Sequence, residues 1–154
     1  MSKPEIFSEK PVSHEGQKGV VSGTIKGQVK NLTTEQVHDF DKPWIWRDTQ
    51  QGTLRFHGVV NDPEAPGKEV AIGLQLSSAS QPSGEFKVGD PKILHLSYMK
   101  YGEPEPDVYF RAESGLVTLQ RQANDHINGS LKFETITIDG NQYAVDVIYD
   151  IGAP

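Results

Sequence analysis

Apolar and polar positions along this chain alternate, mostly with a period of two. Val21, Gly23, Ile25, Gly27 and Val29 interleave with Ser22, Thr24, Lys26 and Gln28. That is the pattern of a strand with one apolar or small face and one polar face. Residues 69–76 set Val70, Ile72, Leu74 and Leu76 against Ala71, Gly73 and Gln75. Residues 43–47, 53–60 and 93–98 read as further strands, with a turn at 48–52 and a Pro-containing loop at 61–67. Residues 77–89, rich in Ser, Gly and Pro, read as the largest internal loop. Thr33 and Gln36 have capping-box spacing, so one short helical turn is expected there, ending before Pro43.

The C-terminal third is the most regular. Val108, Phe110 and Ala112 share one parity, and Val117 and Leu119 another. A tight turn at Ser114 and Gly115 would place both sets on one face. Leu131 and Phe133 then fall opposite Leu119 and Val117 if the next loop is centred near Asp125. For the last hairpin, a two-residue Asp139-Gly140 loop would pair Phe133 with Asp146. A three-residue loop, with Asn141 left-handed, pairs it with Val147, Leu131 with Tyr149 and Thr135 with Val145, and the apolar pattern favours this odd loop. The expectation is a four-stranded C-terminal meander, roughly 107–151, with one apolar face. Leu119, Leu131, Phe133, Val145 and Val147 are expected to be buried together.

That apolar face needs a cover, and no amphipathic helix in the sequence is long enough to supply one. The cover must be the sheet made by the earlier strands. The predicted fold is therefore all-β: an antiparallel β-sandwich or closed β-barrel of about eight to ten strands, with at most one short helical turn. More than a third of the residues should be in strands and under a tenth in helix. Residues 1–18, polar and carrying Pro4 and Pro11, read as a flexible N-terminal arm, and 19–154 as one β domain of ordinary size.

Composition narrows the function classes. Cysteine is absent, which excludes a disulfide framework, a thiol nucleophile and Cys-ligated zinc. The formal net charge is −6 and no Lys/Arg cluster stands out, so nucleic acid and an anionic membrane surface are not expected partners. No run has transmembrane length and the N-terminus lacks the apolar core of a secretory leader, so the expected location is cytoplasmic, with leaderless export left open.

Catalytic spacing is not apparent. His14, His38, His57, His95 and His126 form neither an HxH nor an HExxH arrangement, and read as surface or hydrogen-bonded histidines. Gly-x-Ser-x-Gly and glycine-rich phosphate loops are absent. Glu134 and Asp146 could face each other as a carboxylate pair on the outside of the meander, but two solvated side chains beside Lys132 are the simpler reading. The stripe Glu103, Glu105, Asp107 alternates with Pro104 and Pro106 and lacks the glycine and ligand count of an EF-hand loop. No metal, cofactor or catalytic residue is assigned.

The aromatics remain. Trp44 and Trp46 share one face of a strand, and Tyr98, Tyr101 and Tyr109 flank the acidic Pro loop. Exposed aromatics beside hydrogen-bonding groups let a β scaffold stack on sugar rings or grip a protein. The leading expectation is a non-catalytic binding module that recognises a glycan or protein surface through Trp44, Trp46, Tyr98 and Tyr101. The alternatives are a lipocalin-like barrel carrying a small apolar ligand in space left by Gly23 and Gly27, although the lipocalin Gly-x-Trp signature is missing, and an enzyme of unrecognised type. Homo-oligomerisation through an edge strand is open to all three.

Overall fold

The computed structural model describes residues 20–102 and 104–154; the expected arm at 1–18 lies outside them. The chain forms ten antiparallel strands and no α-helix among the described residues, with strands making up 60%. They are β1 (Gly23–Asn31), β2 (Val37–Phe40), β3 (Trp44–Asp48), β4 (Leu54–Asn61), β5 (Glu69–Leu76), β6 (Gly84–Lys87), β7 (Ile93–Lys100), β8 (Val108–Arg121), β9 (Ile127–Thr135) and β10 (Tyr143–Ile151). Their order in the sheet is β2-β1-β10-β9-β8-β7-β5-β4-β3, with β6 paired to β8. The sheet curls into a half-barrel. Its two edge strands, β2 and β3, are consecutive in sequence and joined by a three-residue turn at 41–43. On the far side, Val20 bridges Trp46 and Val21 N–H donates to Ile45 O at 3.1 Å.

One face of the curl is the core. Phe40, Phe56, Phe86, Tyr98, Phe110, Phe133, Tyr143 and Tyr149 belong to one contiguous buried cluster with the aliphatic residues of the same parity. Leu119, Leu131, Phe133, Val145 and Val147 are all in it, each 0–2% exposed, as the alternation implied.

Several local expectations change. No turn forms at Ser114 and Gly115. β8 is one 14-residue strand whose first part pairs β7 and whose second part pairs β6 and β9, so the C-terminal meander has three strands. The register shifts by one residue between Ala112 and Ser114, and this bulge carries Phe110, Val117 and Leu119 onto the same face despite their opposite parity. Gly115 lets the bend close: a Cβ there would lie 2.2 Å from Lys132 O.

The last hairpin turns on two residues, Asp139 (φ 48) and Gly140 (φ 80), and Asn141 is not left-handed. An irregularity then resets the ladder so that Phe133 faces Val145 and Leu131 faces Val147. Both the β8–β9 and β9–β10 registers differ by two residues from those the sequence suggested, and a shift of two preserves every face. The helical turn expected at Thr33 is instead the β1–β2 hairpin turn, where Asn31 Oδ1 accepts the N–H of Thr33 and Thr34 at 2.9 and 3.1 Å. The two short 3-10 turns lie elsewhere, at Gln50–Gly52 and Ala123–Asp125. β6 lies in the segment read as loop.

Polar clusters close the two ends of the curl. At one end Arg47, wholly buried, donates to Asp125 O at 2.9 Å and to Gly152 O at 2.7 Å. Burial lowers its pKa, opposed by the nearby Asp125 carboxylate. At the other end Glu64, from the β4–β5 loop, accepts hydrogen bonds from Asn31, Lys100 and Tyr143.

Candidate functional site

β3 is an edge strand with its odd-numbered residues, Ile45 and Arg47, buried. Its even-numbered residues lie on the opposite face, and the ladder sets three rows across it. Trp44 aligns with Val59, Ala71, Met99 and Tyr109. Trp46 aligns with His57, Gly73, Ser97 and Arg111, and Asp48 with Arg55, Gln75 and His95. Val59, Ala71, Met99 and Tyr101 form a second, smaller buried cluster against which Trp44 and Tyr109 pack.

The two indoles are half-buried, with ring centroids 6.0 Å apart and planes tilted by 44°. Trp46 Nε1 donates to Asp48 Oδ2 at 3.0 Å, and Arg55 Nη2 donates to the same oxygen at 2.7 Å. Burial pushes the Asp48 carboxyl up, but the hydrogen bonds from Arg55, Trp46 and Gln50 N–H outweigh it and hold the pKa below the usual carboxylate range. Trp46 is thereby fixed in orientation, and Trp44 is the ring left to face the groove beside it.

That groove has a volume of about 460 Å³ and lies at the turn between the two edge strands. Trp44 and Val59 supply its apolar wall, Asn61 and Pro63 enter from the end of β4, and Asp39, Asp41, Lys42 and Glu69 add polar and charged groups. Lys42 sits at φ 53 immediately before Pro43, a conformation that non-glycine residues seldom adopt. The turn that makes the groove therefore carries backbone strain of about 1–2 kcal/mol. A depression of about 370 Å³ at Gly115 is lined instead by Lys132, Glu134 and Asp146 on the polar side of the meander.

The four sequence-predicted aromatics separate. Trp44, Trp46 and Tyr101 lie on one side of the sheet, with Tyr101 buried at 4% exposure. Tyr98 lies on the other side, in the main core at 1% exposure, with its ring 4.8 Å from that of Tyr143. Asp39, Asp41, Asn61, Pro63 and Glu69 were not singled out from the sequence. Asp39 and Asp41 reach the groove through the turn that leads into Trp44, and Asn61, Pro63 and Glu69 through the pairing of Trp44 with Val59 and of Asn61 with Glu69.

The other candidates have well-defined surroundings. His57 is 2% exposed, and burial, with the Arg55 charge adding to it, lowers its pKa to about 3. His95 Nε2 lies 2.7 Å from Ser97 Oγ in a buried pair. Glu134 and Asp146 do not face each other: Lys132 is opposite Asp146, and Ala144 opposite Glu134. Glu105 pairs with Lys68 at 3.0 Å, and Asp107 accepts the Gly102 N–H. Among the described residues no group of three or more His, Asp or Glu side chains is placed to hold a metal ion, and no helix is long and apolar enough to cross a membrane.

The chain matches no protein-family model, no curated protein and no solved structure.

Proposed function

We propose that this protein is a non-catalytic binding module that recognises a glycan in the groove beside Trp44. The observation that carries the reading is the combination within that groove of a half-buried indole with Asp39, Asp41, Asn61 and Glu69. A sugar ring offers an apolar C–H face and a rim of hydroxyls. It is matched by an aromatic plane flanked by carboxylates and amides that accept and donate hydrogen bonds. A flat protein surface would require a wider apolar patch than one indole and Val59 offer. We also read the curl as a barrel in which β8 runs continuously from one half to the other and the Val20–Trp46 bridge ties the start of the described chain to β3, with the groove beside the 41–43 turn.

The carrier alternative has less support. Gly23 and Gly27, the positions that suggested internal room, are filled by the neighbouring strand: a Cβ at Gly27 would lie 2.1 Å from Asp146 O. The interior is occupied by the eight aromatic rings of the main cluster.

The test is a glycan array probed with the wild-type protein and with Trp44→Ala, followed by calorimetry on any hit. Loss of a stacked ring in a binding site costs about 1–3 kcal/mol, so affinity should fall roughly 5- to 150-fold. An array without hits, or hits retained by Trp44→Ala, would overturn the reading.

A further inference from the structure

The loop at 62–68 touches both the groove and the polar cluster that closes the same end of the curl. Asn61 and Pro63 line the groove, while Asp62 and Glu64 point into the cluster. Three strands converge on Glu64. Asn31 Nδ2, at the end of β1, donates to Oε2 at 2.9 Å. Lys100 Nζ, at the end of β7, donates to Oε1 at 2.9 Å, and Tyr143 Oη, at the start of β10, donates to the same oxygen at 2.8 Å. Lys100 also lies 3.5 Å from Asp62 Oδ2 and over the Tyr143 ring, 5.3 Å from its centroid. Within the loop, Glu64 N–H donates to Asp62 Oδ1 at 2.8 Å, and Asp62 N–H to Lys68 O at 2.9 Å. Asn31 and Tyr143 are each 2% exposed, so their bonds to Glu64 are largely shielded from water, while Lys100 meets Glu64 at the partly exposed rim.

We propose that Glu64 is a positioning residue for the Trp44 groove: it latches the 62–68 loop to β1, β7 and β10, and so holds Pro63 in the groove wall beside Asn61. The inference takes from the glycan reading only what the groove binds; the latch itself can be tested without ligand. The titratable and charged groups around Glu64 are Asp62 on its own loop, Lys100 and Tyr98 on β7, and Tyr143 on β10. Burial pushes the Glu64 carboxyl up, and the hydrogen bonds from Asn31, Lys100 and Tyr143 outweigh this and hold its pKa below the ordinary 4.5. A depressed folded-state pKa makes the latch complete above pH 4.5 and lost as pH falls through the lower value.

Hydrogen exchange by mass spectrometry on the full chain tests this, with the Trp44 emission of a Trp46→Phe background as the groove readout. In Glu64→Gln at neutral pH, peptides covering 62–68 should exchange about 10-fold faster, the loss expected for a charge-assisted hydrogen bond, with the β9–β10 peptides unchanged. Trp44 emission should shift to longer wavelength. Acidification should reproduce both changes in the parent protein, after correction for intrinsic exchange, and should leave Glu64→Gln flat. Should Glu64→Gln lose protection everywhere, Tyr143→Phe, which removes one bond to Glu64, must show the loop-confined change. Unchanged loop protection, an unmoved Trp44 spectrum, or the same acid profile in Glu64→Gln would each overturn the proposal. Where the array yields a glycan, unchanged affinity in Glu64→Gln would overturn it too. An array without hits counts against the glycan reading and leaves the latch to be decided by exchange and emission.

Discussion

The β9–β10 hairpin and the β4–β5–β7 ladder are both antiparallel, built from strands of eight or nine residues, and part of one sheet, yet they bury different amounts of themselves. β10 alternates strictly, its odd-numbered residues buried and its even-numbered ones partly or fully exposed, and β9 does the same from Leu131 to Thr135. β5 is buried at every position after Glu69, and β7 over its central five. One region turns a single face to the core and shows the other, carrying Lys132, Glu134, Asp146 and Asp150, to water. The other region buries both faces, the second through the Val59–Ala71–Met99–Tyr101 cluster and the His57, Gln75, His95 and Ser97 rows. Among the described residues neither region exposes a broad apolar surface. Half-buried aromatic rings emerge where the doubly buried ladder meets its edge strand, at Trp44 and Trp46, which is why the groove there carries the functional reading.

Substitutions on the two regions can break this comparison. The largest effect is expected on the hairpin's single buried face. Phe133→Ala should lower the unfolding free energy by about 3–5 kcal/mol in urea titrations, because Phe133 is 2% exposed within the main cluster. A loss below about 1 kcal/mol would mean the face assignment is wrong. The second face of the ladder comes next. Met99 is fully buried on the side away from the main core, so Met99→Ala should cost about 2–3 kcal/mol. A change within about 0.5 kcal/mol would place that face in water.

His57 sharpens the contrast through pH. Its folded pKa of about 3 lies below its ordinary 6.5. The unfolded chain therefore binds the extra proton first, and the stability from keeping His57 neutral is complete above pH 6.5 and drains as pH falls towards 3. At its steepest the loss is about 1.4 kcal/mol per pH unit. His57→Gln should flatten that part of the stability profile, and an unchanged slope would place His57 in water. The smallest effect belongs to the hairpin's wet face: Ile148 is 64% exposed, and Ile148→Ala should move stability by no more than about 0.5 kcal/mol.

The same contrast explains how far the sequence could be read. Where one face is buried, alternation names the inward residues, and Leu131, Phe133, Val145 and Val147 follow from parity alone. The register differs by two residues from the expected one at both pairings, because a shift of two leaves every face unchanged and the apolar pattern cannot detect it. Ser114-Gly115 satisfies turn chemistry, so the sequence predicts a turn where β8 bends. What decides for a bend is the close approach of Gly115 to Lys132 and Phe133, a tertiary fact. Where both faces are buried, parity stops discriminating: the pattern groups Tyr98 and Tyr101 with the tryptophans, whereas Tyr98 points into the main core. Of the candidate site, the spacing of Trp44 and Trp46 singles out Trp44, whereas Asn61 and Glu69 join it only through strand pairing.

The most direct test of the groove's role uses the indole that lines it. The chain has two tryptophans, so Trp46→Phe leaves Trp44 as the only reporter, and Trp44→Phe leaves Trp46. Each variant is titrated with the glycan selected on the array, following emission and acrylamide quenching. The Trp44 signal should shift and become protected in a saturable way, while Trp46, held by Asp48 beside Arg55, should respond weakly. A saturable response confined to Trp46, or none from Trp44 while the glycan binds, would contradict it.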